Sequence, residues 1–494
     1  MDAALSLTWR RTGGPRWSSL APLASLIEIG CTHPDPAGFL PGTLLPDLLT
    51  EAVIREELGK IEISLFKRFK EWVETCNTRD VEQDACLICG HGKLSDNVER
   101  SYLKIFAILL LIDRSAAIRK FITDAVNCRS VSDEDLPLVK VPVRGKTALF
   151  KLRTADRGEK TPKPTCFSGW SIATLDAFER WQWKVLTHSF DGKREPHETH
   201  VIKHPQTVLP FTFMRNQYEH KSTTVYKVKI HKDHHRFPDL DGYFCVKRVG
   251  SLRTTPKQEL QMIRRTNHSH VTPLLATYHY RGCYHFIMPW AECDLNVYWE
   301  KRYPKHARDK ETLTWMMGQC AGIAEGLHGM FYGVHGDIKP SNLLWFPDCN
   351  EEDFGSGNFS TTMKVRRASA LLGFTATYSP PECSFTDDEV EISAEYDVWT
   401  MGCLFLEFVT WYIGGWNAVV EFKKQRGYNV FGEQDRDATF YEPDPCDYGN
   451  AGLKRVKQAV TDVSPMLWPL MHWNFGRRLS SSYNIAYSKS PSIP

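Results

Sequence analysis

The 494-residue sequence lacks a long uninterrupted hydrophobic run. Its most apolar stretch, "IFAILLLI" at 105–112, is far short of the roughly 20 residues a membrane-spanning helix needs, and reads as a buried core helix. The chain also lacks an excess of either charge. Its 61 Lys and Arg balance 59 Asp and Glu to +2, which removes the electrostatic case for nucleic acid or an anionic membrane as the main partner. There is no evenly framed cysteine pattern. Fourteen scattered cysteines fit a reducing compartment, cytoplasmic or nuclear, better than a disulfide scaffold. The N-terminal "MDAALSLTWRRTGG" has no apolar segment of the secretory kind, and Arg10, Arg11 and Arg16 give only a weak transit-peptide signal. What the chain does have is 42% apolar residues, enough to bury real cores, and a length that suits two or three domains at about 100–200 residues each.

Hydrophobic periodicity divides the chain. Residues 1–40 are rich in Pro, Gly and Ser and read as irregular. Across 41–130, "LLPDLLTEAVIREEL", "SLFKRFKEWVETC" and "SYLKIFAILLLIDRSAAIRKFITDAV" carry apolar residues at three- and four-residue spacing, a helical pattern. Residues 131–210 read as a polar linker containing one amphipathic helix near 170–186, "WSIATLDAFERWQWKVL". From 211 to 485 strands come first, "STTVYKVKI", "GYFCVKRV", "TPLLATYHY" and "CYHFIMPW". Helices follow, including "ETLTWMMGQCAGIAEGLHGMFY" at 311–332. That order predicts an α+β domain. A tail at 486–494 closes a Ser-rich, fraying end.

The chemistry concentrates in "VHGDIKPSNLLWF", 334–346. Phosphoryl transfer from ATP needs a cation on the α/β-phosphates, metal on the β/γ oxygens, and an acceptor for the hydroxyl proton. Lys247, on a strand, suits the first role, and Glu259 on the next helix suits holding that lysine. Asp337 is the candidate to orient and deprotonate a hydroxyl. Lys339 would neutralise charge developing on the γ-phosphate, and Asn342 offers a carbonyl oxygen to a metal.

At this point the sequence resembles the eukaryotic protein kinases. "HGDIKPSNLL" resembles their catalytic loop. "FTATYSPPE" (374–382) is similar to the end of an activation segment, with Thr375 and Glu382 in structural roles. "EYDVWTMGCLFLEF" (395–408) resembles the buried helix whose aspartate, here Asp397, braces that loop. "NFGRRLSS" (474–481) resembles the segment whose arginine, here Arg478, pairs with Glu382. The strings "VYKVKIH", "LLATY" and "PWAECDL", with the N-terminal helical region, look most like kinase-like proteins of filamentous fungi. The resemblance implies a bilobal protein kinase fold preceded by an α-helical N-terminal region. It implies ATP and Mg²⁺ as cofactors, and a protein substrate accepting phosphate on Ser or Thr. The hinge would be "MPWAECDL", with Met288 guarding the adenine pocket and Pro289, Trp290 and Ala291 bonding the base through their backbone. A docking or regulatory partner is assigned to the N-terminal helices.

Three departures qualify the resemblance. The glycine slots of the phosphate-covering loop hold Tyr218, His220 and Thr223, whose side chains keep backbone N–H groups away from phosphates. Gly336 stands where many kinases carry the arginine that answers a phosphorylated activation segment. A metal-binding "DFG" is present at Asp353, but the family triplet follows an apolar strand and this one follows "PDCNEE". In a competing register the strand is "TTMKV" (361–365) and the metal aspartate is missing. Two readings therefore stand: a Mg-ATP-dependent Ser/Thr kinase, and an impaired pseudokinase acting as a scaffold. Bland assignments cover the rest. His335 is a packed, hydrogen-bonded histidine; His231, His234 and His235 are exposed on a hairpin loop; Cys86, Cys89 and His91 mark a buried helix end rather than a zinc site.

Overall fold

A computed structural model describes residues 38–463, apart from 43, 69–80, 92–99, 127–130, 144–145, 155–163, 191–197, 221–222, 239–241, 250–267, 306–307, 329–334, 348–356, 362–375, 384–393, 428–437 and 444–453. The chain divides into two units. The first comprises Met1–Lys193, Val201–Gln217 and Tyr226–Pro238; the second comprises Arg194–His200, Tyr218–Val225 and Asp239–Pro494.

In the first unit, α1 Leu44–Leu48, α2 Glu51–Arg68, α3 Val81–Ile88, α4 Leu103–Leu111 and α5 Ile118–Val126 follow in order. Helix α4 (LKIFAILLL) is apolar apart from the exposed Lys104 in its first turn, and Ile105 to Leu109 are fully buried, as a helix without a polar stripe requires. Its first amide groups have no partners within the helix. The Asp133 carboxylate supplies them, accepting from Lys104 N and Ile105 N at 3.0 Å each and from Ser101 Oγ at 2.8 Å. Leu87 and Ile88 are buried at the end of α3.

The segment expected to be a linker holds structure. Strands β1 Leu138–Val143 and β2 Lys146–Thr154 pair antiparallel, with Leu138 opposite Thr154. The prolines that suggested a linker are accommodated locally: Pro142 sits where the register shifts, a place where a ladder tolerates a missing N–H. Helix α6 Ile172–Val185 begins at Ser171, whose Oγ accepts from Thr174 N at 3.2 Å. Its buried Gln182 clamps β1, with Oε1 accepting from Leu138 N at 2.8 Å and Nε2 donating to Leu138 O at 2.7 Å.

The histidine cluster also departs from expectation. Lys232–His234 is a 3-10 turn, and His234 and His235 are buried. His234 Nε2 accepts from Gly42 N at 3.1 Å, so Nδ1 carries the proton and donates to His188 O at 3.1 Å. Burial, aided by nearby His231, holds its pKa below the usual imidazole value. A ring that bridges two backbone groups in its neutral form is a structural part, which is why it is inside.

After the short β3 Thr199–Val201, β4 Phe211–His220 and β5 Thr223–Ile230 are neighbouring strands. Within the second unit, β6 Phe244–Val249 and β7 Ala276–Tyr280 flank β8 Cys283–Pro289, all antiparallel. Phe244, Val246 and Ile287 are buried on one face. The mainly helical remainder is built from α7 Lys310–His328 and α8 Ala394–Gln425, with a three-stranded sheet of β9 Cys293–Asp294, β10 Leu343–Pro347 and β11 Gly357–Thr361 in the order β11-β10-β9. Its core is aromatic: Tyr298, Trp299, Trp345, Phe359 and Trp411 are all within 2% of complete burial. Ring centroids of Tyr298 stand 4.8 Å from Trp345 and 4.9 Å from Phe359. Each such ring removes a large apolar area from water, and together they fix the β10–β11 hairpin that leads out of "HGDIKPSN".

Helix α8 is long and apolar enough to cross a membrane by length and composition. Here it buries Leu404, Phe408, Val409 and Trp411 in a protein core. It breaks at Gly415, whose φ of 69° lies outside helical space.

Candidate active site

Residues 335–342 of the second unit form a loop entering β10. Its anchor is Asp397 in the first turn of α8: Oδ2 accepts from His335 N at 2.7 Å and Oδ1 from Gly336 N at 2.8 Å. For one carboxylate to meet two successive N–H groups the chain must curl, and Gly336 takes φ 67° there, a conformation only glycine adopts freely. Burial pushes the Asp397 pKa up to about 6, against the pull of those two donors.

His335 is fully enclosed. Its Nδ1 accepts from Asp337 N at 3.2 Å, which leaves Nε2 protonated and donating to Thr361 Oγ1 at 2.8 Å. The ring thus ties the loop to the end of β11. The carboxylate of Asp337, itself buried, lies 3.2 Å from Lys339 Nζ. Asn342 Nδ2 donates to Asp337 O at 2.5 Å, which commits the amide nitrogen to the loop and makes Oδ1 the atom able to face a metal. The structure therefore brings Asp337, Lys339, Asn342, His335 and Asp397 into one hydrogen-bonded group.

Lys247 lies on β6, where its cross-strand partner is Phe286, and Cys245 pairs with Met288. Opposed residues in a ladder, and residues two apart on a strand, share a face. Lys247, Cys245, Phe286 and Met288 therefore share one face, opposite Val246 and Ile287. Cys245, Lys247 and Met288 are half-buried there and Phe286 is enclosed; burial pushes the Cys245 thiol up to about 12. Pro289, Trp290 and Ala291 continue from β8 and are half-buried. Tyr218, in one of the glycine slots, is exposed.

Several expected site residues, Glu259, Asp353, Thr375 and Arg478, lie outside the described residues. Glu382 is exposed. Of the strand expected at 361–365, only Thr361 is among the described residues, and it belongs to β11 Gly357–Thr361. That strand pairs with β10 so that Leu343 faces Thr361 at the loop end, and Pro347 faces Gly357 at the other.

Sequence reasoning missed two features. Thr361, which fixes the His335 ring, follows no recognisable string; only its place at the end of the second hairpin strand could have suggested it. The second is a buried ionic node. Glu407 Oε1 meets Arg426 Nη2 at 2.5 Å, and Glu407 Oε2 accepts from Tyr378 OH at 2.9 Å, with all three side chains buried. The 19-residue separation of Glu407 and Arg426 spans the break at Gly415, so no helical periodicity links them.

In this loop one buried carboxylate is paired with a lysine, the backbone is braced by a second aspartate, and an amide follows. Residues 223–425 match the protein kinase domain. Curated relatives match part of the chain at low identity. A probable serine/threonine-protein kinase KIN28 homolog of Encephalitozoon cuniculi is 25% identical over 151 residues, 30% of this chain and 46% of that protein. Cyclin-dependent kinase 15 of Homo sapiens is 24% identical over 155 residues, 31% of this chain and 34% of that protein. Cell division control protein 2 homolog 2 of Trypanosoma brucei brucei is 29% identical over 164 residues, 32% of this chain and 45% of that protein. The chain thus spans less than half the length of these relatives.

Proposed function

We propose that residues 223–425 are a Ser/Thr-type kinase domain that keeps its acid–base loop and lacks half of its metal site. It serves as a binding module with at most slow phosphoryl transfer. The observation that supports this is the sequence that follows the strand paired with β10. In the resembled family the metal aspartate directly follows the strand paired with the one leaving the catalytic loop. Here that strand is Gly357–Thr361, and the sequence from Thr362 to Pro381 contains no Asp or Glu. Asp353 precedes the strand, in the segment joining Pro347 and Gly357. Those two residues stand at the hairpin end away from Asn342, four residues and roughly 13 Å along β10.

A divalent cation held between phosphates asks for several oxygen donors with carboxylate charge among them. Asn342 supplies one neutral oxygen, and the twenty residues that follow Thr361 in the sequence contain no carboxylate side chain. The residues present therefore do not fit a fully held Mg²⁺. They do fit a hydroxyl acceptor and a phosphate-facing amine: Asp337 can accept a proton, Lys339 can steady an adjacent anion, and Lys247 can meet a phosphate. Loss of the metal carboxylate lowers turnover by orders of magnitude in an enzyme whose catalysis is positioning and electrostatics.

The test is radiolabel transfer from Mg-ATP to a generic basic protein by the full chain, beside Asp337→Asn and Asp353→Ala, with thermal-shift titrations of ATP with and without Mg²⁺. We expect label incorporation no greater than that of Asp337→Asn, and an ATP-induced shift that Mg²⁺ does not enlarge. Transfer abolished by both substitutions would overturn this reading and restore an active kinase with Asp353 as its metal ligand.

A further inference from the structure

The second unit contains a cavity of about 450 Å³ next to the loop, lined by Asn296, Lys339, Thr377, Tyr378, Glu407, Trp416, Lys423, Lys424 and Arg426 among others. Its charge is one-sided. Four cations line it, Lys339, Lys423, Lys424 and Arg426, against the single carboxylate of Glu407. Lys339 is matched by Asp337 and Arg426 by Glu407. Lys423 bonds the neutral Asn296 Oδ1 at 3.1 Å and is 3.9 Å from the already paired Glu407; Lys424 is exposed. Two positive charges are left over.

Arg426 gives a second, independent sign. Its side chain is 1% exposed and its guanidinium stands 3.7 Å from the Phe440 ring centroid and 4.4 Å from that of Phe422. One nitrogen, Nη2, is spent on Glu407. Among the described residues neither Nε nor Nη1 meets an acceptor. Buried guanidinium N–H groups without acceptors are costly and rare, and the planar donor fork suits a tetrahedral oxyanion.

We infer that this cavity binds a phosphate monoester carried by a peptide. Two uncompensated cations match a group of about −1.5 to −2 charge better than a single carboxylate, and the unsatisfied N–H groups of Arg426 add positive potential at the cavity wall. The phosphate chemistry stands on the cavity alone. The peptide source rests on the kinase-domain reading, because Lys339 places the cavity beside the loop where a substrate hydroxyl would arrive.

The experiment is fluorescence anisotropy on the full chain, without nucleotide. The probes are a fluorescein-labelled serine-phosphorylated peptide library with random flanks, the same library unphosphorylated, and the same library with Glu at that serine; inorganic phosphate is the competitor. We expect the phosphorylated library to bind at least tenfold tighter than either other, with displacement by millimolar phosphate. Lys424→Glu, at an exposed position and with its folding checked by circular dichroism, should remove the preference. Arg426→Gln should do the same where it folds. Equal binding of all three libraries would overturn the inference. So would equal gain from Glu, or a preference that survives Lys424→Glu. Asp337→Asn should retain the preference, which separates this site from the proposed chemistry. Loss of the preference in that variant would move the anion out of the cavity and overturn the assignment.

Discussion

Replacing Gly322 with alanine sets two forces against each other at one atom. Gly322 lies inside α7, where alanine in place of glycine favours a helix by about 1 kcal/mol. A Cβ there, however, would overlap the ring of His270. That ring is buried, 7% exposed, and its Nδ1 donates to Phe359 O at 2.7 Å. To admit the methyl group the imidazole must move. The hydrogen bond is then lost, and the Phe359 carbonyl in β11 is left without its donor at about 1–3 kcal/mol. Displaced packing around a closely surrounded ring adds about 1–2 kcal/mol. The balance is a net loss of about 2 kcal/mol despite the better helix former. In a unit of this size that lowers the melting temperature by about 4–8 °C.

A double-mutant cycle isolates the cause. With His270→Ala in place the obstruction is gone, so adding Gly322→Ala should raise stability by about 1 kcal/mol, the helix propensity alone. Urea unfolding of the four proteins, followed by tryptophan fluorescence, reads both steps. The reasoning is refuted if Gly322→Ala stabilises the native background, or if it destabilises the His270→Ala background by the same amount.

Three further outcomes follow from the same structure. Burial holds His285 down at about 4 and Asp397 up at about 6. Because His285 is neutral when folded, its contribution is complete above the ordinary imidazole pKa and is lost as pH falls, by about 2 kcal/mol between pH 7.5 and 5. Asp397 has the opposite sign and returns about 1 kcal/mol over the same interval. The urea midpoint of His285→Gln should therefore fall less on acidification than that of the native chain; an equal fall would refute the assignment. Gly415→Ala should destabilise by at least about 2 kcal/mol, since it adds positive-φ strain to an overlap with the Pro304 carbonyl; an unchanged melting temperature would contradict the kink. Gln182→Leu should cost about 2–4 kcal/mol by stranding both backbone groups of Leu138, measured as faster amide exchange across β1 and β2; unaltered exchange there would refute the clamp.

What the sequence made legible, and what it hid, has a physical pattern. Strands β5 to β8 and helices α4, α6 and α7 were readable because burial of one face writes its period directly into neighbouring residues. The loop around Asp337 was readable for a different reason: proton acceptor, lysine and metal-facing amide must sit at fixed offsets on one turn of chain, so their chemistry is local in sequence. The features that were missed all depend on partners distant in the chain. Pro142 looked like a linker residue because a register shift in β1 is set by β2, not by β1 itself. His234 looked like a surface residue because its donor and acceptor partners, Gly42 N and His188 O, are 192 and 46 residues away. Glu407 looked like one more residue on an apolar helix. Only the break at Gly415 and the return of the chain bring Arg426 against it, and with it a cavity whose charge could not be summed from any single stretch. Local chemistry thus located the loop. The surplus of positive charge beside it, on which the phosphopeptide inference stands, belongs to the fold.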